Sequence, residues 1–370
     1  ITYRIKENDD GETELILVSH GFMVVSGLLR DVDGSDVHWH LDWQLRNHRG
    51  SAVVGRGTAQ QARELAGLAK WGAPVNSGNA RGLVQFLSHF EATNDGRIPS
   101  AVVSRKLGWV GNEGRYGFLW GQTLITENSE VPPNRPPAEW QGSYARLVAD
   151  GGAAQLAEGY QRKGTMDGWK SVIQELEPFP MIGSMLLASL AAPLLGVIKE
   201  APNFVIDLSG KSSHGKTSAL KIAASPWGVP SSRDGGLVHS WDATGVGGER
   251  AAEMTCHLPL ILDDTKRAKK KEAVAEMLYR VANGRGRLRG RPDGLREVSR
   301  WRTILLSSGE VPASSFTKDQ GARARVLGLQ GLPFKSGVRG ELVSAVMRDI
   351  SENYGHAGPM LVQWLQQNRD

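Results

Sequence analysis

The sequence predicts an α/β protein: a P-loop domain on a five-stranded parallel sheet, preceded by a small α+β accessory domain. Three observations carry this. Gly210-Lys211-Ser212-Ser213-His214-Gly215-Lys216-Thr217 completes a G-x-x-x-x-G-K-[ST] pattern between an apolar run, 203–208, and a helical stretch, 216–224. A second apolar run, 258–264, ends in two acids, Asp263 and Asp264. Further β-type runs at 237–241, 303–307 and 325–329 alternate with helical segments, the order that builds a parallel sheet.

Composition bounds the rest. The 370 residues suffice for about two domains at ~100–200 residues each, so no staple is needed to stabilise a core. At 40% hydrophobic and 22% charged, the chain is globular rather than disordered. Its 45 glycines follow no G-X-Y period, which excludes collagen and assigns them to loops. One cysteine, Cys256, excludes a disulfide framework and a Cys-rich zinc site, and suits a reducing, cytoplasmic location. No charged-then-apolar leader is evident. A start at Ile1 rather than Met raises the expectation of an upstream domain.

Residues 1–127 read as the accessory domain. Strands are expected at 14–18, 21–25, 37–41 and 52–55, helices at 60–70 and 81–90, and a closing hairpin over 117–120 and 122–125. Asp31–Asp36 reads DVDGSD, with Gly at the fourth position where a calcium loop needs it at the sixth, so a β-turn is expected. His38 and His40 share one strand face without an evident third ligand, so no metal is assigned to them.

Residues 128–143 contain Pro132, Pro133, Pro136 and Pro137, and read as a linker. A helical segment, 144–202, leads into the P-loop domain, with helices near 153–162 and 169–176. Within it, residues 181–198 carry no charge over eighteen positions, which touches the transmembrane threshold. Pro193, the small residues and the phosphate motif that follows favour a buried core helix, hence no membrane partner. The P-loop core is expected over 203–335, and two helices, 340–354 and 359–367, over the C-terminal 336–370.

In a P-loop, glycines let backbone N–H groups turn inward to phosphate oxygens at a helix N-terminus. Gly210, Ser212, Ser213, His214 and Gly215 supply that cradle, and Lys216 meets the β and γ phosphates. Thr217 and Asp263 are the expected Mg²⁺ ligands, and Asp264 the group that polarises an attacking water. Ser307 and Ser308 end the fourth strand beside the expected γ-phosphate, where a polar sensor belongs, and Ser307 is the one assigned that role. Arg325, before the fifth strand, is placed to reach the nucleotide of an adjacent subunit.

Charge is unevenly spread. Residues 266–302 hold thirteen Lys/Arg against four Asp/Glu, while the remainder of the chain is net acidic. Such a block points to a polyanion. Inside it, Pro292-Asp293-Gly294 is a turn signal, and Arg285, Arg287, Arg289 and Arg291 alternate ahead of it. A β-hairpin would set these four arginines on one face, suited to a phosphate backbone and blind to base sequence.

Together these pieces resemble the family catalogued as domain of unknown function 927. The residues that carry the resemblance are 210–217, Ser240-Trp241-Asp242-Ala243-Thr244, 258–264, 283–289, 301–310 and 321–326, with Leu107-Gly108-Trp109 and 118–125 upstream. Members look like AAA+ ATPases of the minichromosome-maintenance-like branch, including self-loading helicases of mobile elements. The resemblance implies ATP-driven translocation on single-stranded or forked DNA by a homo-hexameric ring, with ATP and Mg²⁺ as cofactors. A primase or polymerase, as upstream domain or partner, is part of that implication. Asp264 stands where the family has Glu, one methylene longer, which implies slower turnover. Two other classes stay open: a nucleic-acid-binding assembly module with ATP as structural ligand, and a P-loop remodelling or packaging ATPase.

Overall fold

The computed structural model describes residues 2–7, 13–32, 36–57, 60–111, 117–131, 145–148, 151–211, 215–242, 245–268, 270–287, 290–291, 294–295, 298–334 and 340–368. The chain divides into two compact units. One comprises Ile1–Ser104 with Asn134–Arg146, the other Arg105–Pro133 with Leu147–Asp370.

The first unit opens with an antiparallel pair, Thr2–Glu7 (β1) and Thr13–Ser19 (β2). Phe22–Asp31 (β3), Val37–Leu45 (β4) and His48–Gly55 (β5) form an antiparallel meander. Helices Gln61–Gly67 (α1) and Ala80–Thr93 (α2) precede Ser100–Ser104 (β6), which returns parallel to β3. A short strand, Ala145–Leu147 (β11), completes the sheet order β11-β6-β3-β4-β5. Alternation selects the core: Trp39, Leu41 and Trp43 of β4 pack with Leu65, Leu83 and Leu87. A register shift between Val25 and Gly27 resets β3, so Met23 and Val25 face this core before it and Leu28 after it. At the DVDGSD turn, residues 33–35 lie outside the described residues. Asp31, Asp36 and His38 gather one ligand atom each within 4.8 Å, with His38 Nε2 3.4 Å from Asp31 Oδ1, so two carboxylates stand beside His38 where the sequence showed no third ligand.

The larger unit begins earlier than the expected boundary at 127. Gly108–Val110 (β7), Gly117–Trp120 (β8), Thr123–Ile125 (β9) and Glu130–Val131 (β10) form an antiparallel sheet, so the linker reading fails at its first residues. The prolines of that reading lie outside the described residues. Long-range contacts draw this sheet into the unit: Trp109 Nε1 donates to Pro193 O at 2.9 Å and Trp120 Nε1 to Trp227 O at 2.7 Å. Gly108 makes the approach possible, because at φ +90° an added Cβ would lie 2.1 Å from Cys256 O.

Gly151–Glu158 (α3), Met166–Glu175 (α4), Pro180–Ala191 (α5) and Leu194–Val197 (α6) follow. The uncharged run is thus interrupted at Pro193. Pro180–Val197 is apolar and long enough to cross a membrane by composition alone, and here α5 buries Ile182, Met185 and Ala188.

Five parallel strands then build the main sheet: Phe204–Ser209 (β12), Val238–Ser240 (β13), Pro259–Asp263 (β14), Ile304–Gly309 (β17) and Val326–Gln330 (β18). Their order is β13-β14-β17-β12-β18. Lys216–Ala224 (α7) lies between β12 and β13, Gly245–Met254 (α8) between β13 and β14, and Lys271–Asn283 (α9) follows β14. Gly290–Arg291 (β15) and Gly294–Leu295 (β16) pair antiparallel around the expected turn. Gln320–Arg323 (α10) precedes β18, and Gly340–Glu352 (α11) and Ala357–Gln367 (α12) close the chain. Val205, Leu260, Leu262, Val274, Leu278 and Leu305 form the core between sheet and helices.

Candidate functional site

The sheet order decides which side chains meet. β17 lies between β12 and β14, so the end of the fourth strand reaches the gap between the end of β12 and the end of β14. Gly215 caps α7 at φ +82°, and an added Cβ would lie 2.7 Å from the Phe334 ring. Only glycine supplies that left-handed turn without strain. Lys216 Nζ folds back over the loop, donating to Gly210 O at 2.9 Å and Lys211 O at 2.6 Å. Ser212, Ser213 and His214 lie outside the described residues.

Asp263 is the hub. Its Oδ2 accepts from Thr217 Oγ1 at 2.8 Å, and its Oδ1 from Ser308 Oγ at 2.5 Å. The Asp264 N–H donates to the same Ser308 hydroxyl at 3.1 Å. A cation on a flexible stem, two hydroxyls and a carboxylate converge where a helix N-terminus begins. Hard oxygen donors of this kind fit a partly hydrated Mg²⁺, and Lys216 fits a polyphosphate.

Two expected residues stand elsewhere. Ser307 is fully buried and faces the opposite side of the sheet, paired with Asp207 in the β12–β17 ladder. Ser308 takes the place expected of Ser307. Adjacent residues of a strand point to opposite faces, and pairing of Leu262 with Ser307 sets Ser308 opposite Asp263. Apolar residues lie on both faces of this strand, so sequence periodicity could not choose between the serines; the register chooses. Asp264 has φ +64°, and its carboxylate accepts from Lys266 N–H at 3.1 Å and lies 3.6 Å from Arg267 Nε.

Arg325 is not brought to the phosphate loop of its own chain. Its carbonyl accepts from Val205 N–H at 2.8 Å, at the start of β12, and its guanidinium donates to Gly321 O at 3.2 Å. The loop begins at Gly210, five strand residues further along, about 16 Å at ~3.3 Å per residue.

The basic segment is a hairpin at its base. Gly286 N–H donates to Ser299 O at 2.8 Å, and Arg285 bridges Arg300. Arg285 and Arg287 are exposed, with Arg287 beside Glu276 and its N–H donating to Glu249 Oε1 at 3.3 Å. Glu249 also pairs with Arg280, both of them buried, a contact between α8 and α9 that sequence reading missed. Arg289 and the side chain of Arg291 lie outside the described residues.

No curated protein matches this chain. Among solved structures it is similar to that titled "SCCmec type IV Cch - active helicase", with a TM-score of 0.66 at 20% identity over 95% of this chain and 62% of that one. The chain thus spans about three fifths of that relative, and the two share a fold. Two apo structures of the NrS-1 C-terminal region align over 91% of this chain and 68% of theirs, at 8% identity and TM-scores of 0.37 and 0.34. The family model described as "Domain of unknown function (DUF927)" matches residues 1–300, and the chain belongs to that family.

Proposed function

We propose that this protein is an ATP-dependent DNA helicase or translocase of the AAA+ class, acting as a homo-hexameric ring in the replication of a mobile element or phage. The observation that carries the reading is the Thr217–Asp263–Ser308 chain of hydrogen bonds beside Lys216, in a unit that also bears the basic hairpin between α9 and β17. The fold shared with a structure titled an active helicase supports it.

In this reading Thr217 and Asp263 hold Mg²⁺, which when bound neutralises charge on the β and γ phosphates. Lys216 leaves the Gly210 and Lys211 carbonyls for those phosphates. Ser308 fixes the Asp263 carboxylate and, through the Asp264 N–H, the strand end that carries the second acid. Asp264 must turn from Lys266 and Arg267 before it can accept a proton from water. Arg325, distant from its own loop, serves the nucleotide of the next subunit. Arg285, Arg287, Arg289 and Arg291 hold the DNA backbone.

Steady-state ATPase with and without single-stranded DNA, followed by fork unwinding, tests this. DNA-stimulated hydrolysis with unwinding is the expected result. The engaged Asp264 carboxylate favours one second reading, an assembly module with ATP as structural ligand. Stoichiometric bound ATP that does not turn over would select it.

A further inference from the structure

Asp207 sits in the middle of β12, between Ile206 and Leu208, with none of its surface exposed. A carboxyl group in such a place is costly unless it is bonded. Its Oδ2 accepts from the backbone N–H of Ala313 at 2.7 Å. Ala313 opens a 3-10 turn, Ala313–Phe316, beyond the end of β17. From that turn the chain runs through fixed joints to the arginines. Thr317 Oγ1 accepts from Asp319 N–H at 3.2 Å, and Asp319 caps α10 by accepting from Ala322 N–H at 2.7 Å. Arg323 ends α10, and Arg325 joins β18 beside Val205. The same strand therefore holds the arginine segment at two points: at its start through one buried carboxyl oxygen on Ala313, and at Arg325 through the Val205 N–H.

We propose that Asp207 is a positioning residue, which through Ala313 sets the Arg323–Arg325 segment against the nucleotide of a neighbouring subunit. This rests on the ATPase reading above, and on Arg325 working between subunits.

The logic separates two roles. If Asp207 merely supports its own phosphate loop, its loss damages the subunit that carries it. If it positions Arg325, its loss damages the next subunit's site and leaves its own intact.

The full chain is assayed as wild type, Lys216→Ala, Arg325→Ala, Asp207→Ala and Asp207→Asn. Asp207→Ala is expected to lower kcat at least tenfold with KM for ATP within twofold. Mixed with Lys216→Ala under subunit exchange, it should gain activity beyond the sum of the two proteins, as Arg325→Ala should. Asp207→Asn keeps an oxygen for Ala313 N–H and should retain at least half of wild-type kcat. Should Asp207→Ala not fold, Ala313→Pro removes the donor instead, at a helix position where proline fits, and should give the same mixing gain. Gain with Arg325→Ala but not with Asp207→Ala or Ala313→Pro would overturn the positioning role alone. Absence of gain in the Arg325→Ala mixture would overturn both, with the failure traced to the inter-subunit reading. An Asp207→Asn protein as inactive as Asp207→Ala would likewise refute the anchor.

Discussion

Ser308 Oγ donates to Asp263 Oδ1 at 2.5 Å, so the fourth strand holds the acid that the second motif presents. The carboxylate is gripped from two sides, since Thr217 bonds its other oxygen. Ser308→Ala removes one grip and frees the Asp264 N–H as well. Hydrolysis should fall by roughly tenfold, about 1.4 kcal/mol of lost transition-state stabilisation. Ser307→Ala, on the other face, should alter kcat less than twofold. Equal effects of the two serines on kcat would contradict the register described here.

Lys216→Ala removes the cation that spans the loop. Turnover is expected to drop by orders of magnitude, while single-stranded DNA binding without nucleotide persists. Normal turnover by this variant would remove the phosphate loop from the chemistry.

The hairpin is tested by salt. Replacing Arg287 and Arg289 with Ala should weaken single-strand binding alike at all sequences. It should also flatten the log–log salt dependence by roughly 1.4, at ~0.7 per lost phosphate contact. Basal ATPase should remain and DNA stimulation should vanish. An unchanged slope with normal unwinding would return the basic block to a solvated loop.

Burial pushes the Asp207 carboxyl above its usual 3.8, with the Ala313 N–H and the Ser307 hydroxyl pulling the other way. In the folded state it therefore binds its proton more tightly than in the unfolded state. The contribution of this carboxyl to wild-type stability falls as pH rises from about 3.8 through the raised value, then levels. Asp207→Asn carries no such dependence. The melting-temperature difference, variant minus wild type, should grow from pH 4 to pH 8; a difference that shrinks would mean the carboxyl is held ionised.

All five strands of the main sheet and the helix that starts at Lys216 were legible because each is a local pattern: an apolar run, a glycine turn, a helix start. Which of Ser307 and Ser308 faces Asp263 was not, because strand parity against a neighbour is a tertiary property. Asp207 was hidden inside an apolar run, where nothing local indicates that a carboxyl meets an N–H 106 residues later. The hairpin of β8 and β9 was read correctly as a hairpin but assigned to the wrong unit. Its sequence encodes the turn, whereas its partners Trp227 and Gln366 lie in later segments. The extent of β3 was underread because Ser26 and Gly27 break its alternation at the register shift.

The passage of the chain from first unit to second, back, and out again bears on the order of synthesis. Strands β7 to β10 leave the ribosome before the main sheet exists, carrying Trp109, Phe118 and Trp120 with nothing to cover them. Trp120 must wait for a carbonyl 107 residues away, and Ile125 O for the amide of Gln366, 241 residues away. Such distant closures slow folding and leave apolar strands open to wrong pairing meanwhile. A fragment starting at residue 147 would lack those strands altogether and leave the Trp227 carbonyl without its indole; one starting at 105 would carry its own cover.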